Sequence, residues 1–203
     1  MFLSVFEMFK VGIGPSSSHT MGPMIAAARF LDRLRASPFS PSGLRASLHG
    51  SLAFTGVGHA TARAVILGLA GFTPEAYDAD SAEAALEAIK RTGTVTPEGL
   101  GTLLFAPAND LKFDYETALP GHANGRVLMA TDAQGDIILS ETYYSVGGGF
   151  VLTEDELAAG KDSQDGPPVP HPFKSAAEMR EMSAWTGKAI AQMKRDNEES
   201  RMD

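Results

Sequence analysis

The chain has 203 residues, 43% of them hydrophobic, which is enough to bury the core of one domain or of two small ones. Its 17 basic and 25 acidic residues give a net charge of −8, which argues against a nucleic-acid-binding protein. The absence of cysteine excludes, within this chain, a disulfide, a thiolate nucleophile, a zinc–thiolate site and a cysteine-held iron–sulfur cluster.

The N-terminal stretch MFLSVFEMFKVG carries Glu7 and Lys10 within its apolar residues and has neither a basic start nor a small-residue cleavage site. We interpret it as mature structure rather than a signal peptide. The sequence also has no run of about 18 apolar residues, the length needed to cross a membrane. We therefore expect a cytoplasmic protein without a membrane partner.

The first half of the chain predicts alternating helices and strands. Apolar residues recur at helical spacing over 21–36, and the stretch LRASLHGS, 44–51, alternates as a half-buried strand does. A largely buried helix is predicted over 59–71, with Gly71 placed to end it. Asp80 and Glu83 have the spacing of a capping box for the next helix, which ends before a glycine at 93.

The second half changes to a period of two, which predicts strands over 101–107, 111–115, 126–131 and 136–145. The last two flank the short turn DAQG and form a hairpin. A capping-box pattern predicts a helix from Glu154, and Ser175 with Glu178 predicts a final helix that runs through Met193. This order of elements indicates an α+β fold with a mostly antiparallel sheet packed with helices.

The stretch GPSSSHT places several hydroxyls and an imidazole ahead of the first helix. One interpretation is a helix cap, for which a single hydroxyl suffices. The other is a site for an anion, which the helix N-terminus and the donors would favour together. The candidate residues are Ser16, Ser17, Ser18, His19 and Thr20.

Two further polar clusters contain histidine. In GSLAFTGVGHATARA, the glycines at 50, 56 and 58 allow a close approach of the backbone, and His59 stands at the start of a helix. A histidine in that place is often structural. In PGHANG, His122 and Asn124 precede a strand, where turn chemistry alone explains Asn-Gly.

The stretch YYSVGGGF places Gly147, Gly148 and Gly149 after a strand. Three consecutive glycines form either a sharp loop or a nest of N–H groups that holds a carboxylate. The four clusters together indicate a pocket for a small, polar molecule that bears a carboxylate. Neither a phosphate-binding loop nor a dinucleotide-binding glycine pattern is present.

The stretches SVFEMFKVGIGPSSSHTMGP, GSLAFTGVGH, HANG, ETYYSVGGGF and VPHPFKSAAEM resemble, in the same order, the N-terminal β half of the iron–sulfur-dependent L-serine dehydratases. The resemblance covers about residues 2–197. It implies an L-serine ammonia-lyase that forms pyruvate and ammonia by dehydration. It also implies a four-iron, four-sulfur cluster held by cysteines of the other half and none bound by this chain.

The resemblance implies roles for individual residues. His59, His19 and His122 are candidates for acid–base catalysis, with His59 the first choice as the base. Ser145 and Asn124 are expected to assist. The expected carboxylate ligands are Ser16, Ser17, Ser18, Thr20 and Gly147, Gly148 and Gly149.

One residue departs from the family pattern: Ala62 stands where the family commonly has Asp, in Gly-His-x-Thr-Asp. The resemblance divides the chain into a serine dehydratase β domain, 1–160, and a loop and helix, 161–203, that lead to a cluster-bearing α domain or subunit. Expected partners are L-serine, that α half and a second copy in a homodimer. The alternative function is a non-catalytic module that binds serine or another small anion.

Overall fold

A mixed β-sheet of seven strands organises the computed structural model, which describes residues 4, 5, 9–160 and 168–201. β1 pairs in parallel with β3 and β4, and the β1–β5, β2–β3, β5–β6 and β6–β7 pairs are antiparallel. The predicted α+β fold with a mostly antiparallel sheet is confirmed. The strands are β1 (Gly43–His49), β2 (Thr94–Val95), β3 (Leu103–Leu104), β4 (Leu111–Asp114), β5 (Gly125–Thr131), β6 (Ile137–Gly147) and β7 (Phe150–Thr153).

The helices of the described residues include a π-helical turn, Ser17–Met21, that precedes the first α-helix. None of these helices combines the length and the apolar content needed to cross a membrane. The α-helices are α1 (Gly22–Arg35), α2 (Ser51–Thr55), α3 (Thr61–Leu69), α4 (Ala79–Thr92), α5 (Pro107–Asp110), α6 (Glu154–Ala159), α7 (Ala176–Thr186) and α8 (Ile190–Glu199).

The hydrophobic core lies between one face of the sheet and the helices α1, α3 and α4. The alternation predicted for the first strand is confirmed, because Leu44, Ala46 and Leu48 are buried while Arg45 is exposed. Leu128 and Ala130 of β5 extend the same apolar surface. The helices thus cover one face of the sheet and bring the start of α1 close to the ends of the strands.

Two strand predictions need correction. The strand predicted over 101–107 is only β3, because the chain turns away where Pro107, which has no N–H, begins α5. The strand β7 was not predicted, and the three glycines before it form the tight connection between β6 and β7. The predicted hairpin between β5 and β6 is confirmed.

Two helix predictions also need correction. Asp80 does not cap α4; Asp78 does, because its Oδ1 accepts a hydrogen bond from Ser81 N at 2.8 Å. The predicted final helix is two helices, since Gly187 adopts a left-handed φ of 68° and ends α7. Ser175 caps α7 as predicted.

By its contacts the chain divides into two units. The larger is Val11–Ala158, and the smaller combines Ala159–Asp203 with the described residues among the first ten. The predicted domain limits of 1–160 and 161–203 stay predictions. Residues 1–3 and 6–8 of the N-terminal stretch and 161–167 of the predicted loop lie outside the described residues.

Candidate functional site

The first polar cluster folds as the π-helical turn Ser17–Met21, which leads directly into α1. Ser16 caps this turn: its Oγ accepts from His19 N at 3.2 Å, and its carbonyl accepts from Thr20 N and Met21 N. π turns occur often at functional sites. The capping interpretation is therefore confirmed for Ser16, while Ser17 is exposed.

The structure brings His19 and His59 together, with ring centroids 4.8 Å apart and ring planes inclined by 38°. His19 Nδ1 lies 2.8 Å from Ser18 Oγ, and its Nε2 lies 3.1 Å from Ser51 Oγ. Ser51 begins α2 and was missed by the sequence analysis, in which its only signal is its place after a strand. Two segments that are distant in sequence thus share one site.

A pair of threonines fixes the backbones of the two histidines. Thr20 Oγ1 donates to the His59 carbonyl at 2.8 Å, and Thr61 Oγ1 donates to the His19 carbonyl at 2.6 Å. Both threonines are buried. Because each segment holds the histidine backbone of the other, neither backbone can shift at these positions without breaking a buried hydrogen bond. The carboxylate contact expected of Thr20 stays a prediction, and its hydroxyl proton already serves this structural bond.

His59 has a defined tautomer when its ring is neutral. Its Nδ1 lies 2.9 Å from the Thr55 carbonyl, which only accepts, so Nδ1 carries the proton and Nε2 holds a lone pair. The next residue, Ala60, has a left-handed φ of 54°, uncommon for a residue with a Cβ. Such strained positions cluster at functional sites. A ring nitrogen with a lone pair is what a general base requires.

The environment of His19 keeps its imidazole neutral at pH 7. Burial lowers the pKa of His19 most, and the nearby His59 lowers it further; a hydrogen bond with Ser51 raises it, and Arg126 lowers it by the smallest amount. A neutral imidazole donates through one ring nitrogen and accepts through the other. His19 thus links the hydroxyls of Ser18 and Ser51.

The segment with the third histidine packs against the start of α2. The Ala123 carbonyl accepts a hydrogen bond from Ser51 N at 2.8 Å, and a Cβ on Gly50 would lie 2.5 Å from that carbonyl oxygen. The close approach predicted for Gly50 is confirmed. His122 Nδ1 accepts from Asn124 N at 3.0 Å, so a neutral His122 carries its proton on Nε2. His122 and His59 therefore have opposite tautomers.

Asn124 and Ser145 connect this segment to the end of β6. Asn124 Nδ2 donates to the Ser145 carbonyl at 3.1 Å. Ser145 Oγ faces Gly22, the first residue of α1, so closely that a side chain at that position would collide with it. The end of β6 therefore lies beside the π-helical turn, as a shared pocket requires.

Gly147, the last residue of β6, and the two glycines that follow it all have positive φ values, from 58° to 98°. The structure confirms the sharp loop, because these glycines connect β6 to β7. The binding of a carboxylate by their N–H groups stays a prediction. A Cβ on Gly147 would meet no atom within 4 Å, so a larger side chain would not collide with a neighbour. Glycine is required at this position because of its positive φ.

Arg126 is a buried part of this site that the sequence analysis missed. Its Nη2 donates to Ser145 Oγ and, at 3.3 Å, to the Asn124 carbonyl. Burial lowers the pKa of Arg126 to about 9. The signal in the sequence is an arginine that takes an inward-facing position of a strand, two residues before the buried Leu128.

The remaining two histidines have separate partners. His49 lies 2.8 Å from Ser47 Oγ and 3.0 Å from the Thr117 carbonyl, and His171 lies 2.9 Å from Asp196 Oδ2. Across the described residues there is no group of three or more His, Asp or Glu side chains arranged to hold a metal ion.

A cavity of about 310 Å³ is lined by Thr20 and Ala60, from the two segments that carry the paired histidines, and by Arg63 and Tyr77. Arg63 is held in place by Glu83 and Tyr77. The class that the fold defines is an α+β domain with a mostly antiparallel sheet, in which hydroxyls and two imidazoles lie together beside the start of α1.

One protein-family model covers most of the larger unit of the chain. The family model described as serine dehydratase beta chain matches residues 4–156. The chain belongs to the serine dehydratase β-chain family.

Curated relatives match almost the whole chain. An L-serine dehydratase of Streptomyces coelicolor is 43% identical over 100% of this chain and 45% of its own length. The L-serine dehydratase TdcG of Escherichia coli is 41% identical, over 97% of this chain and 43% of its own length. An L-serine dehydratase of Haemophilus influenzae is 38% identical with the same coverage. The chain spans less than half the length of these relatives.

Proposed function

We propose that this chain is the substrate-pocket half of an L-serine ammonia-lyase, which dehydrates L-serine to pyruvate and ammonia. The observation that carries the proposal is the pairing of His19 with His59 in a member of the serine dehydratase β-chain family. Holding a carboxylate needs only hydrogen-bond donors. Paired imidazoles add the capacity to move a proton.

His59 is the proposed base. Its Nε2 lone pair takes the proton from Cα of L-serine, and the electron pair left on Cα forms the Cα–Cβ double bond as the Cβ–O bond breaks. The hydroxyl takes a proton, for which the Nε2–H of His122 is the proposed source, and leaves as water. The resulting aminoacrylate tautomerises to an imine, which one water molecule hydrolyses to pyruvate and ammonia. His19 orients the hydroxyls around it, and His122 offers an Nε2–H as a donor or acid.

The substrate carboxylate is assigned to the hydroxyls and amides at the start of α1 and the end of β6. Donors placed where negative charge develops stabilise the transition state. The proposed substrate-binding residues are Ser16, Ser17, Ser18, Thr20, Asn124, Ser145 and Gly147, Gly148 and Gly149. Thr20 is the exception in this set, because its hydroxyl proton is donated to the His59 carbonyl and a contact with the carboxylate requires that bond to break.

The residues of this chain do not fit an iron–sulfur cluster. The chain has no cysteine, and its described residues offer no group of metal ligands. We assign the cluster to the half that the longer relatives carry in addition, and we give this chain binding, orientation and proton transfer. The proposed complete enzyme is a cytoplasmic homodimer.

The proposal is tested by mixing this chain, under anaerobic conditions, with the second half of the Streptomyces coelicolor relative and measuring pyruvate from L-serine. That relative's own first half, mixed with the same second half, shows that the assay works. We expect pyruvate from both mixtures. If only the positive control forms pyruvate, the proposal is wrong for this chain.

The same experiment separates the alternative function. A chain that binds L-serine, seen by isothermal titration calorimetry, but forms no pyruvate with a working second half would be a binding or regulatory module. The substitution of Asp by Ala62 in the family pattern favours that alternative, because the acidic partner near His59 is missing.

A further inference from the structure

The side chain of Arg126 occupies a place that normally takes an apolar residue. It stands second on β5 and shares the helix-covered face with Leu128 and Ala130, and it has no exposed surface. Its cross-strand neighbours on the two sides are Leu48 of β1 and Tyr143 of β6. An arginine is rarely buried completely unless a carboxylate pairs with it.

The guanidinium of Arg126 has no counter-charge among the described residues. Its Nη2 donates to Ser145 Oγ and to the Asn124 carbonyl, whereas its buried Nε and Nη1 have no hydrogen-bond partner. A buried charge with unpaired donors is costly, because the lost hydration is not replaced. The burial lowers the pKa of Arg126 to about 9, so the group is still protonated at neutral pH.

The charge lies close to the candidate site. Arg126 influences the ionisation of His19, and Ser145, which it contacts, faces the first residue of α1. The groups that face His19 are His59, Ser18, Ser51 and Arg126, and none is acidic. Within the described part of the chain, the hydrogen bonds of His19, His59 and Ser145 include no carboxylate. The acidic group beside the cavity, Glu83, is paired with Arg63.

We propose that Arg126 is the buried counter-charge that makes this site select an anionic ligand. It is a positioning residue: neither it nor Ser145 is exposed, so it acts through its field on the accessible hydroxyls at the start of α1. A fixed positive charge in a medium of low polarity attracts an anion more strongly than the same charge in water. That the anion is the carboxylate of L-serine rests on the proposed function.

Arg126 also prepares Ser145 as a donor. Because Ser145 Oγ accepts a hydrogen bond from the guanidinium, that bond does not use the hydroxyl proton of Ser145, and a hydroxyl bonded to a cation is a stronger donor. The positive charge of Arg126 has two effects: it attracts a bound anion, and it disfavours protonation of His19.

The first test follows the ring signals of His19 and His59 by NMR in the full 203-residue chain, with acetate as the anionic probe and acetamide as its neutral match. Arg126→Met removes the charge and keeps a side chain of similar length, and Arg126→Lys keeps the charge. The control is Arg45→Met, which removes an arginine on the exposed face of β1. We expect acetate to shift the signals of the unmodified chain, Arg126→Lys and Arg45→Met. Its affinity should fall at least tenfold in Arg126→Met, and acetamide should bind weakly throughout.

The second readout is the pKa of His19 in the same samples. Arg126→Met should raise it, because a nearby positive charge that opposed protonation is gone, and Arg45→Met should leave it unchanged. A merely structural role of Arg126 would move neither this pKa nor the preference for acetate over acetamide.

The inference is overturned if acetate does not bind the unmodified chain, or if folded Arg126→Met keeps the same affinity for acetate and the same His19 pKa. Should Arg126→Met fail to fold, a tenfold loss of acetate affinity in folded Arg126→Lys would overturn it, and near-normal affinity would support it. The failure of the proposed function is a separate result: it shows as no pyruvate from the assembled enzyme while the acetate preference persists.

Discussion

The two ends of the helix-covered face of β5 differ in what they bury. Toward the end of the strand, Leu128 and Ala130 pack into the apolar core beneath α1 and α3. At its beginning, Arg126 is equally buried but meets Ser145 and leaves two nitrogens unpaired. Burial of apolar side chains at the end of the strand stabilises the fold, whereas burial of a charge with unpaired donors at its beginning destabilises it. The destabilising end is the one that lies beside the candidate site.

The largest effect is expected at the polar end, on turnover. His59→Ala should reduce pyruvate formation by the assembled enzyme by about 10²–10⁴-fold, because the lone pair on Nε2 is lost. Steady-state measurement of kcat measures the loss. His171→Gln, in the smaller unit, is the matched control and should keep activity within a few-fold. Equal activity of His59→Ala and the unmodified chain would show that another group is the base.

The next prediction compares the two ends of β5 by the free energy of unfolding. Leu128→Ala should lower the free energy of unfolding by about 2–5 kcal/mol, the range for large-to-small changes in a core. Arg126→Met should leave it unchanged or raise it, because an unpaired buried charge is replaced by an apolar side chain. Urea denaturation of the 203-residue chain measures both.

The control for this contrast is Met129→Ala, on the same strand but on the opposite, half-buried face. It should cost less than Leu128→Ala. A loss in Arg126→Met as large as that in Leu128→Ala would mean that the two ends do not differ as described.

A smaller effect is expected at the threonines that join the two histidine segments. Thr61→Val keeps the shape of the side chain but leaves the His19 carbonyl unpaired, which should cost about 1–3 kcal/mol in urea denaturation. Thr92→Val, at an exposed helix end, should stay within about 0.5 kcal/mol of the original chain. Equal free energies of unfolding for the two variants would show that the hydrogen bond from Thr61 to the His19 carbonyl does not stabilise the fold.

The smallest effect is a pH dependence. Because the pKa of His19 is lowered by folding, the unfolded chain binds a proton more readily than the folded chain does. Stability from this group is therefore present above the unfolded pKa, about 6.5, and is lost as pH falls toward the lower folded value. His19→Gln should flatten this part of the curve of unfolding free energy against pH. If His19→Gln leaves the slope of unfolding free energy against pH unchanged, that slope comes from other titrating groups.

Part of the fold followed from local patterns. The alternation of Leu44, Ala46 and Leu48 predicted a strand, and the serine at 175 predicted a helix start, because both depend on neighbouring residues. The cap of α4 was misplaced by two residues, since Asp78 and Asp80 are equally good caps in a local pattern. The break at Gly187 was missed because glycine is also found inside helices.

The sequence by itself determined which residue types carry the chemistry: the serines, the histidines at 19, 59 and 122, and the glycine run, together with the absence of cysteine. Only the tertiary structure decided that His19 meets His59, that Ser51 and Thr61 hold them, and that Arg126 lies buried beneath the site without a counter-charge. The physical reason is that side-chain pairs between distant segments are set by how the helices pack on the sheet, and no local spacing encodes that packing.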